Sequence, residues 1–327
     1  MKKIAINGFG RIGRVLFRIL SQKNDCKVFV INDISSPKVL SHLLKYDSVH
    51  GKLSSNIDFG DDYIEFNGHK ITVLNNPNLS SLDWHQFDID VVFECTGLFK
   101  NTSELQKHLN AGAKKVILSA PPLDGSVPMI VIGVNDDIIT SSTKMISNAS
   151  CTTNCAAPMI KVLNDNFNVQ SAYVTTVHSY TSDQNLHDGV HSDLRRARSA
   201  AKSIIPTTTG AAKALSHIFP EIKLGGCGIR VPVSNCSLTD ITCVVNKHTN
   251  IELVNNIFKK SSENNMKNII EYNVDPIVSI DVTSSSYSCI FDSLLTYVSG
   301  NMIKIVGWYD NEYGYCSRLV DLLYKIT

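Results

Sequence analysis

The sequence predicts an α/β protein of two domains, the first a doubly wound parallel sheet and the second an α+β domain with a mostly antiparallel sheet. Two patterns lead to this prediction. Up to Ser147, short apolar runs alternate with helix-like segments, as in parallel sheets whose strands are joined by helical crossovers. After Arg230, strand-like runs follow one another across short turns, which favours antiparallel pairing.

Composition and charge favour a folded protein that acts on a small molecule. The 327 residues can form two cores, and 43% apolar with 19% charged residues is typical of globular proteins. A formal net charge of +1 gives no basic excess for nucleic acid. The nine cysteines include no CxxC pair, which argues against a disulfide framework or a zinc site and favours a reducing compartment.

The amino-terminal residues favour a cytoplasmic location. Lys2 and Lys3 are followed by only three apolar residues, Ile4 to Ile6, before the polar Asn7. That run is shorter than the apolar part of a signal peptide, and no stretch of the sequence approaches membrane-spanning length. We therefore expect neither export nor a membrane partner.

The first element is a strand, a glycine-rich turn and a helix. The apolar run Ile4 to Ile6 leads into the turn, and apolar residues from Ile12 to Leu20 then recur at helical spacing. In this setting, the three glycines fit a Rossmann-type dinucleotide site: one for the turn, one for close approach of a pyrophosphate and one for packing of the helix on the strand. The candidate cofactor-binding residues here are Gly8, Phe9, Gly10, Arg11, Ile12 and Gly13.

An acidic residue after the second strand indicates which dinucleotide binds. Val28 to Ile31 reads as a strand, and Asp33 follows it at the distance expected in dinucleotide-binding units. A carboxylate there accepts hydrogen bonds from an adenosine ribose and repels a 2′-phosphate, which favours NAD over NADP. Three glycines alone also occur in ordinary turns. The strand, the helix and the acid together favour the cofactor site.

The rest of the first domain continues the pattern. Asn67-Gly68 predicts a hairpin that departs from the parallel sheet. Two later strands end at Thr96 and Ser119, which we take as further cofactor-binding residues because cofactors of doubly wound sheets bind at the carboxyl ends of strands. The remaining predicted elements are a helix at 104–109 stopped by Gly112 and strands at 91–95, 116–118, 129–132 and 144–146.

The segment Ser147 to Cys155 places a cysteine where a strand becomes a helix. Unpaired N–H groups and the positive end of the helix dipole favour the thiolate of Cys151. The hydroxyls of Ser150, Thr152 and Thr153 can cap the helix or bind a substrate. An arbitrary cysteine here is more often buried and inert. Cys155 is four residues further along the same helix face, where it is either a redox neighbour or a packed residue.

The second domain presents a histidine at the end of its longest strand. Ser171 to Val177 reads as this strand, and His178 follows it. A polar segment extends from Ser182 to Ala201, and a helix then runs from Gly210 to its stop at Pro220. The other predicted elements are strands at 238–245, 287–291, 294–298 and 302–309, a helix capped by Asn250, and a closing helix around residues 319–323.

A cysteine needs a base or a lowered pKa to act as a nucleophile. His178 is the best candidate base, although one of ten histidines can equally be a surface or core residue. Candidate phosphate-binding residues are Thr181, Arg195, Thr209, Gly210 and Arg230. The arginines at 195, 196 and 198 can equally form a solvated loop. A thiol beside an NAD site indicates oxidation of an aldehyde to a thioester, which phosphate or water then attacks.

These residues resemble the phosphorylating glyceraldehyde-3-phosphate dehydrogenase family over nearly the whole chain. The motifs that carry the resemblance are Asn7 to Arg14, Leu44 to Asp47, Glu94 to Gly97, Ser147 to Cys155, Asp193 to Arg198, Thr209 to Lys213 and Trp308 to Glu312. At Gly189-Val190, strictly NAD-dependent bacterial members often carry a Leu-Pro pair, and Pro77 stands where many members have an arginine. Cofactor preference in this chain therefore depends mainly on Asp33.

The resemblance implies a site and a reaction. Cys151 would be the nucleophile and His178 the base in converting glyceraldehyde 3-phosphate and inorganic phosphate to 1,3-bisphosphoglycerate through a thiohemiacetal and a thioester, as part of glycolysis and gluconeogenesis. The implied ligands are Thr181 and Arg230 for the substrate phosphate, Ser150, Thr152, Arg195, Thr209 and Gly210 for the attacking phosphate, and Asn311 for the nicotinamide amide.

The resemblance also implies an organisation. We expect an NAD-binding domain at 1–148, a catalytic domain at 149–311 and a closing helix at 312–327 that packs back on the first domain. Members of the family are homotetramers, and the polar segment after Thr181 resembles their loop that lines the neighbouring subunit's cofactor site.

Three other functions are compatible with parts of this sequence. An erythrose-4-phosphate dehydrogenase shares the fold and the thiol, although Thr208-Thr209-Gly210 is closer to the glyceraldehyde-3-phosphate enzymes. A non-catalytic NAD- or RNA-binding role is disfavoured by the small net charge and by the presence of both Cys151 and His178. A thiol acyltransferase or hydrolase would need the same cysteine but no cofactor motif.

Overall fold

The amino-terminal half of the chain forms a sheet in which parallel pairs predominate. The computed structural model describes all residues from Met1 to Thr327. The strands of this first sheet are β1 (Lys2–Asn7), β2 (Cys26–Asn32), β3 (Ile57–Phe59), β4 (Tyr63–Phe66), β5 (His69–Leu74), β6 (Val91–Glu94), β7 (Lys115–Leu118) and β8 (Met145–Ser147). Its helices are α1 (Arg11–Leu20), α2 (Pro37–Lys45) and α3 (Thr102–Asn110).

The order of these strands is that of a doubly wound sheet. In space they lie as β3-β4-β5-β2-β1-β6-β7-β8. The six that pair in parallel, numbered along the chain, therefore have the order 3-2-1-4-5-6, the arrangement whose crevice lies beside its first strand. This confirms the predicted Rossmann-type domain. It also identifies the carboxyl ends of β1 and β6 as the place where a dinucleotide would bind.

Two expectations for this sheet need correction. The hairpin does turn at Asn67-Gly68, both of which have positive φ, but β5 also pairs in parallel with β2, so the hairpin extends the sheet instead of leaving it. The predicted strand at 129–132 is wrong: only Met129 forms a bridge, to Ser147. An apolar run without a long partner strand cannot form a ladder, and periodicity alone does not reveal whether the partner exists.

The second sheet is mixed and mostly antiparallel, which confirms the predicted α+β domain. Its order is β10-β11-β9-β12-β16-β14-β13, with β15 paired to β16. The strands are β9 (Val169–Ser179), β10 (Ile205–Thr207), β11 (Lys223–Val231), β12 (Ser237–Val245), β13 (Ile270–Asn273), β14 (Cys289–Asp292), β15 (Tyr297–Ser299) and β16 (Met302–Tyr309). The helices are α4 (Cys151–Phe167), α5 (Ala211–Ile218), α6 (Ile251–Glu263) and α7 (Tyr313–Ile326).

The sequence did not predict β10, β11 or β13, and it predicted one strand too long. Residues 294–298 split into a 3₁₀ turn, Ser293–Leu295, and the short β15. Asp292 causes this break because its side chain accepts a hydrogen bond from Leu294 N, 3.1 Å away. The β11 strand was hidden by its three glycines, which depress strand propensity. One of them, Gly226, has no room for a side chain, since an added Cβ would lie 2.5 Å from Val174 O.

The chain divides into two units of dense internal packing. Unit 1 contains Met1–Ile130, Asp136–Ala149 and Cys316–Thr327, and unit 2 contains Val131–Asn135 and Ser150–Tyr315. Most of α7 thus belongs to unit 1. There, Tyr324 Oη donates to Asp25 Oδ1 at 2.7 Å, and the Lys325 ammonium lies 2.7 Å from the Asp136 carboxylate.

Three further observations concern the chain as a whole. None of the helices combines the length and the apolar composition that crossing a membrane requires. No three His, Cys, Asp or Glu side chains are grouped so that they could hold a metal ion. All nine cysteines are free thiols, six of them buried.

The glycine turn after β1 owes its shape to two close contacts. Gly8 has φ +91°, and a Cβ on it would lie 2.6 Å from Thr96 N. A Cβ on Gly13 would lie 2.2 Å from Gly8 O, whereas Gly10 has no atom within 4 Å of that position. Gly8 and Gly13 are therefore needed by the fold itself, and Gly10 leaves open space at the start of α1.

We predict that Gly13→Ala lowers the free energy of unfolding by about 1–3 kcal/mol, the usual cost of overpacking. Gly10→Ala is the matched control and should stay within about 0.5 kcal/mol of the wild type, as surface substitutions do. Denaturant unfolding followed by fluorescence measures both. Equal stability of the two variants would contradict the close packing of α1 on β1.

Candidate active site

Cys151 is the first residue of α4. Ser150 caps the helix, its Oγ accepting a hydrogen bond from Thr153 N at 3.1 Å. Just before the cap, Ala149 has φ +51°, a conformation that costs a residue with a Cβ about 1–3 kcal/mol and tends to occur at functional sites. The chain therefore enters α4 through a strained residue, and the strand-to-helix position predicted for Cys151 is confirmed.

His178 lies beside this thiol. It is the penultimate residue of β9, and its Nε2 is 3.4 Å from Cys151 Sγ. The imidazole is 5% exposed. The two side chains that the sequence paired across 27 positions are thus in hydrogen-bonding contact.

The protonation of His178 depends on what its other nitrogen does. Nδ1 is 2.7 Å from Ser179 O, to which it can donate, and 2.7 Å from Arg230 Nη1, from which it can accept. It cannot do both, because a neutral ring nitrogen is either a donor or an acceptor. Donation to Ser179 leaves Nε2 as an acceptor for the thiol proton. Acceptance from Arg230 makes Nε2 a donor to a thiolate.

Charge is disfavoured on both partners in this structure. Burial, followed by the positive charge of Arg230, lowers the pKa of His178 to about 3. Burial raises the pKa of the Cys151 thiol, against the opposing effects of Arg230 and of hydrogen bonds with Thr152. We expected the helix N-terminus to favour the thiolate. Desolvation outweighs it here, so the resting pair is a neutral thiol and a neutral imidazole.

Tyr309 connects the helix that carries Cys151 with the strand that carries His178. Its Oη is 2.9 Å from Thr152 Oγ1 on α4 and 2.9 Å from Thr176 Oγ1 on β9. Its ring also meets the His178 ring edge to face, with the centroids 6.0 Å apart. Sequence reasoning missed this residue. The only signal was its place inside the motif that begins at Trp308.

Asn311 is held through its carbonyl oxygen. Oδ1 accepts from Ser179 Oγ and from Ser237 Oγ, each at 3.0 Å. Ser179 directly follows His178, so Asn311 and the histidine share one anchor. With both donors directed at Oδ1, the Nδ2 group remains to donate to a ligand.

The candidate phosphate-binding residues fall into two sets. Arg230 is paired in register with His178 across β11 and β9, and its Nη1 also donates to Ser179 O at 2.9 Å. Thr209 and Gly210 precede α5, where Thr209 Oγ1 accepts from Ala211 N and no atom lies within 4 Å of where a Cβ on Gly210 would stand. Thr181 is partly buried in the turn after β9.

The three clustered arginines are distinguished by their partners. Arg196 Nε donates to Thr207 Oγ1 at 3.0 Å, and its Nη1 pairs with Asp183. Arg198 pairs with Asp188 at 3.0 Å. The Arg195 side chain is exposed and bonds to no other side chain; only its backbone is engaged, by Asp193 and Arg198. Of the three, Arg195 is the one whose guanidinium is available to an anion, as the sequence proposed.

Four of the candidate cofactor residues, Gly8, Gly10, Asp33 and Thr96, line a cavity in unit 1. This cavity has a volume of about 250 Å³ and is lined by Asn7, Gly8, Gly10, Asn32, Asp33, Ile34, Asn76, Pro77, Cys95, Thr96, Leu98 and Phe99. Asp33 Oδ2 accepts from Phe9 N at 2.8 Å, and Oδ1 accepts from Ser35 N at 2.9 Å. Each oxygen keeps a lone pair for a ligand hydroxyl.

These residues fit NAD. Gly10 leaves room for a phosphate at the start of α1, and the carboxylate of Asp33 suits an unphosphorylated ribose. Asn32, Asn76 and Pro77 line the same cavity and were not predicted as cofactor-binding residues. Ser119, which was predicted, donates its backbone N–H to Glu94 O at 2.9 Å at the end of β7, but it does not line this cavity. Ile12 and Arg11 lie in the first turn of α1.

Comparison with known proteins identifies the family of both domains. Residues 2–102 match the NAD binding domain of glyceraldehyde 3-phosphate dehydrogenase, and residues 150–311 match the C-terminal domain. The chain belongs to the glyceraldehyde-3-phosphate dehydrogenase family. A member from Mycobacterium leprae is 48% identical over 98% of this chain and 97% of its own. Glyceraldehyde-3-phosphate dehydrogenase 1 of Bacillus cereus is 46% identical over 100% and 99% of the two chains.

The second matched domain, at residues 150–311, contains Cys151, His178, Arg230, Tyr309 and Asn311. Every contact described above between these five residues therefore lies inside one domain of the glyceraldehyde-3-phosphate dehydrogenase family. The cavity around Asp33 lies inside the other, at residues 2–102.

We predict that His178→Asn makes the protein less sensitive to acid. The unfolded chain protonates this histidine near pH 6.5, whereas burial lowers the pKa of His178 to about 3 in the fold. The stabilisation is therefore complete above pH 6.5 and is lost as the pH falls toward 3, by at most about 1.4 kcal/mol per pH unit. The Tm of the wild type should fall more steeply between pH 7 and pH 5 than that of the variant.

The exposed His248 supplies the control for this measurement. His248→Asn should retain the wild-type slope of Tm against pH. Parallel slopes for the wild type and His178→Asn would show that folding does not lower the pKa of His178.

We predict that Tyr309→Phe weakens both the fold and the site. The hydroxyls of Thr152 and Thr176 lose a shared buried partner, at a cost of about 1–3 kcal/mol in unfolding free energy. The helix and strand that carry Cys151 and His178 lose their direct link, so turnover should fall by about tenfold. Tyr297→Phe, at a tyrosine that is 52% exposed, is the control and should change neither quantity. Unchanged turnover in Tyr309→Phe would show that the link does not position the pair.

Proposed function

We propose that the chain is an NAD-dependent, phosphorylating glyceraldehyde-3-phosphate dehydrogenase of glycolysis and gluconeogenesis. The observation that carries the proposal is the 3.4 Å contact between Cys151 Sγ, at the start of α4, and His178 Nε2. Membership of the family and full-length identity of nearly one half to several members support the substrate. The products are 1,3-bisphosphoglycerate and NADH.

In the first half of the reaction, Cys151 and His178 act as nucleophile and base. Nε2 accepts the thiol proton while Sγ bonds to the aldehyde carbon, and it then returns this proton to the carbonyl oxygen, which becomes the thiohemiacetal hydroxyl. The N-terminus of α4 stabilises the negative charge that passes from sulfur to oxygen. The thiohemiacetal hydroxyl then gives its proton to Nε2 as the carbon is oxidised to a thioester. NAD, when bound, supplies the hydride acceptor for this oxidation. Because its pKa is lowered, His178 is neutral at rest, and in the tautomer that donates from Nδ1 to Ser179 O its Nε2 has a lone pair for this proton.

The second half transfers the acyl group from Cys151 to inorganic phosphate. We assign binding of this phosphate to Ser150, Thr152, Arg195, Thr209 and Gly210, and binding of the substrate's own phosphate to Thr181 and Arg230. The free guanidinium of Arg195 and the open N-terminus of α5 support the first set. The half-buried Arg230, which approaches His178 Nδ1, supports the second. Breaking the C–S bond releases the thiolate, which takes the proton from Nε2 and restores the thiol.

The cofactor is assigned to the residues around the unit 1 cavity and to Asn311. Gly8 to Gly13 would hold the pyrophosphate at the start of α1, and Asp33 would accept a hydrogen bond from the adenosine ribose. Thr96 and Ser119 would contact the cofactor at the carboxyl ends of β6 and β7. The Nδ2 group of Asn311 would donate to the nicotinamide amide. Its carbonyl is already fixed by Ser179 and Ser237, which supports this orientation.

We also propose that the enzyme is a cytoplasmic homotetramer. Three apolar side chains of the polar segment after Thr181 are largely exposed: Leu186 at 62%, Val190 at 103% and Leu194 at 82%. Exposure of three large apolar side chains within one short segment favours an interface between subunits. The resemblance assigns this segment to the cofactor site of the neighbouring subunit. The nine free cysteines are compatible with the cytoplasm.

Production of NADH from glyceraldehyde 3-phosphate tests the proposal. The wild type should require inorganic phosphate for steady turnover, Cys151→Ser should show none, and His178→Asn should lose about 10²- to 10⁴-fold, as expected for removal of a general base. Erythrose 4-phosphate is the competing aldehyde and should react with a lower kcat/KM. Turnover that survives Cys151→Ser, or that does not need phosphate, would contradict the thioester mechanism.

A further inference from the structure

A network of hydrogen-bonded, buried polar side chains lies at the carboxyl edge of the first sheet. The proposed reaction assigns no role to this network. Its members are Asn7, Asn32, Trp84, Glu94 and His108, none of which is more than 5% exposed. Asn7, Asn32 and Glu94 are the last residues of β1, β2 and β6, so three adjacent strand ends are joined by side chains. A charged group so deeply buried needs partners to be tolerated.

Trp84 determines the state of His108. The indole Nε1 can only donate, and it donates to His108 Nδ1 at 3.1 Å. Nδ1 is therefore an acceptor without a proton, and the ring proton sits on Nε2. That nitrogen is 3.1 Å from Glu94 Oε2, to which it donates. The contact is thus a hydrogen bond from a neutral imidazole with a fixed tautomer and not an ion pair.

Glu94 accepts hydrogen bonds from three residues, Asn7, Thr96 and His108. Oε2 accepts from His108 and from Asn7 Nδ2 at 2.5 Å. Oε1 accepts from Thr96 N at 2.8 Å and from Thr96 Oγ1. The Thr96 hydroxyl itself accepts from Leu98 N at 3.1 Å, so its own proton points to Glu94. Each carboxylate oxygen therefore accepts two hydrogen bonds. Both bonds to Oε1 come from Thr96, in the loop that follows β6.

From Asn7 the network also extends in the opposite direction, to the end of β2 and to Asn76. Asn7 Oδ1 accepts from Asn32 Nδ2 at 2.7 Å. The Asn32 amide then bonds to both backbone groups of Asn76, its Oδ1 accepting from N at 3.0 Å and its Nδ2 donating to O at 2.9 Å. Asn7-Gly8, Asn32-Asp33, Asn76-Pro77 and Cys95-Thr96 are thereby connected. These four segments line the cavity assigned to NAD.

We infer that Glu94, oriented by His108 and Trp84, is a positioning residue that sets the affinity for NAD by holding the Thr96 loop against the glycine turn. The inference rests on the proposed NAD site. Gly8 and Thr96 already touch so closely that a Cβ on Gly8 would be 2.6 Å from Thr96 N. Because Gly8 and Thr96 both line the cavity, a small displacement of Thr96 would change the shape of the cavity. Trp84 itself is immobilised in an apolar cluster with Ala5, Val30 and Val92.

The competing explanation is that the network only satisfies buried polar groups of the core. Under that explanation its loss would lower stability without a specific effect on NAD. Two substitutions at His108 separate the alternatives. Leu fills similar space and donates nothing, whereas the amide of Gln can still donate to Glu94.

The experiment measures the NAD dissociation constant and the steady-state constants of full-length His108→Leu and His108→Gln. We expect His108→Leu to raise the Kd and the KM for NAD about tenfold, which corresponds to about 1.4 kcal/mol. Its kcat at saturating NAD and its KM for glyceraldehyde 3-phosphate should stay within about twofold of the wild type, because Cys151 and His178 are unaffected. His108→Gln should recover most of the wild-type affinity.

Leu105→Ala is the matched control on the same helix, α3. Leu105 is fully buried in a cluster with Val116 and Leu118, and its apolar side chain takes part in none of the network's hydrogen bonds. This variant should lose thermal stability but keep the wild-type Kd. Equal weakening of NAD binding by Leu105→Ala and His108→Leu would overturn the inference, as would a wild-type Kd in His108→Leu.

Trp84→Phe keeps the test decisive if His108→Leu does not fold. It removes the donor to Nδ1 but keeps an aromatic ring, and we expect the Kd for NAD to rise about threefold. A Kd equal to that of the wild type would overturn this inference but leave the proposed function intact. A wild type that binds no NAD would overturn the proposed function as well, so the two failures can be told apart.

Discussion

The register between β9 and β11 is the constraint on which the candidate site depends. Parallel pairing sets His178 opposite Arg230, and Val177 and Thr176 opposite Ile229 and Gly228. A shift of one residue would turn every side chain of β9 to the other face. His178 would then leave Cys151, and Thr176 would leave the hydroxyl of Tyr309. The long pairing of β9 with both β11 and β12 makes such a shift costly.

Two opposing effects act on the thiol, and their sizes decide its resting state. The capped N-terminus of α4 favours negative charge by roughly 0.3–1 kcal/mol, and up to about 2 kcal/mol where the charge is partly buried. Removing a charge from water costs several kcal/mol even after the surroundings relax. Burial therefore raises the pKa of Cys151 despite the helix. The consequence is that the thiolate has to form together with the imidazolium, each stabilising the other across 3.4 Å.

The sequence predicted the parts of the site that have local signals. Cys151 at a strand-to-helix junction, His178 at a strand end and Asp33 after β2 each lie next to a recognisable element. The parts it missed depend on distant partners. Tyr309 connects Thr152 and Thr176, which lie 157 and 133 residues away. Nothing near residue 309 indicates those hydroxyls. The strand β11 was missed for a related reason, since Gly225 and Gly226 are explained only by Tyr173, Val174 and Ala212, which pack against them from β9 and α5.

Two buried histidines show how a protein makes one imidazole rigid and leaves another free to exchange a proton. His108 meets a donor-only indole, so its tautomer has no alternative. His178 meets a carbonyl and a guanidinium at the same nitrogen, each 2.7 Å away, so two tautomers are within reach. In the tautomer that donates from Nδ1 to Ser179 O, Nε2 can accept a proton, and Nδ1 keeps its bond to Ser179 O after Nε2 has gained one. Arg230 then keeps Ser179 O as its own acceptor, 2.9 Å away. The same oxygen thus serves both protonation states, which lets the base gain and lose a proton while the ring stays directed at Cys151.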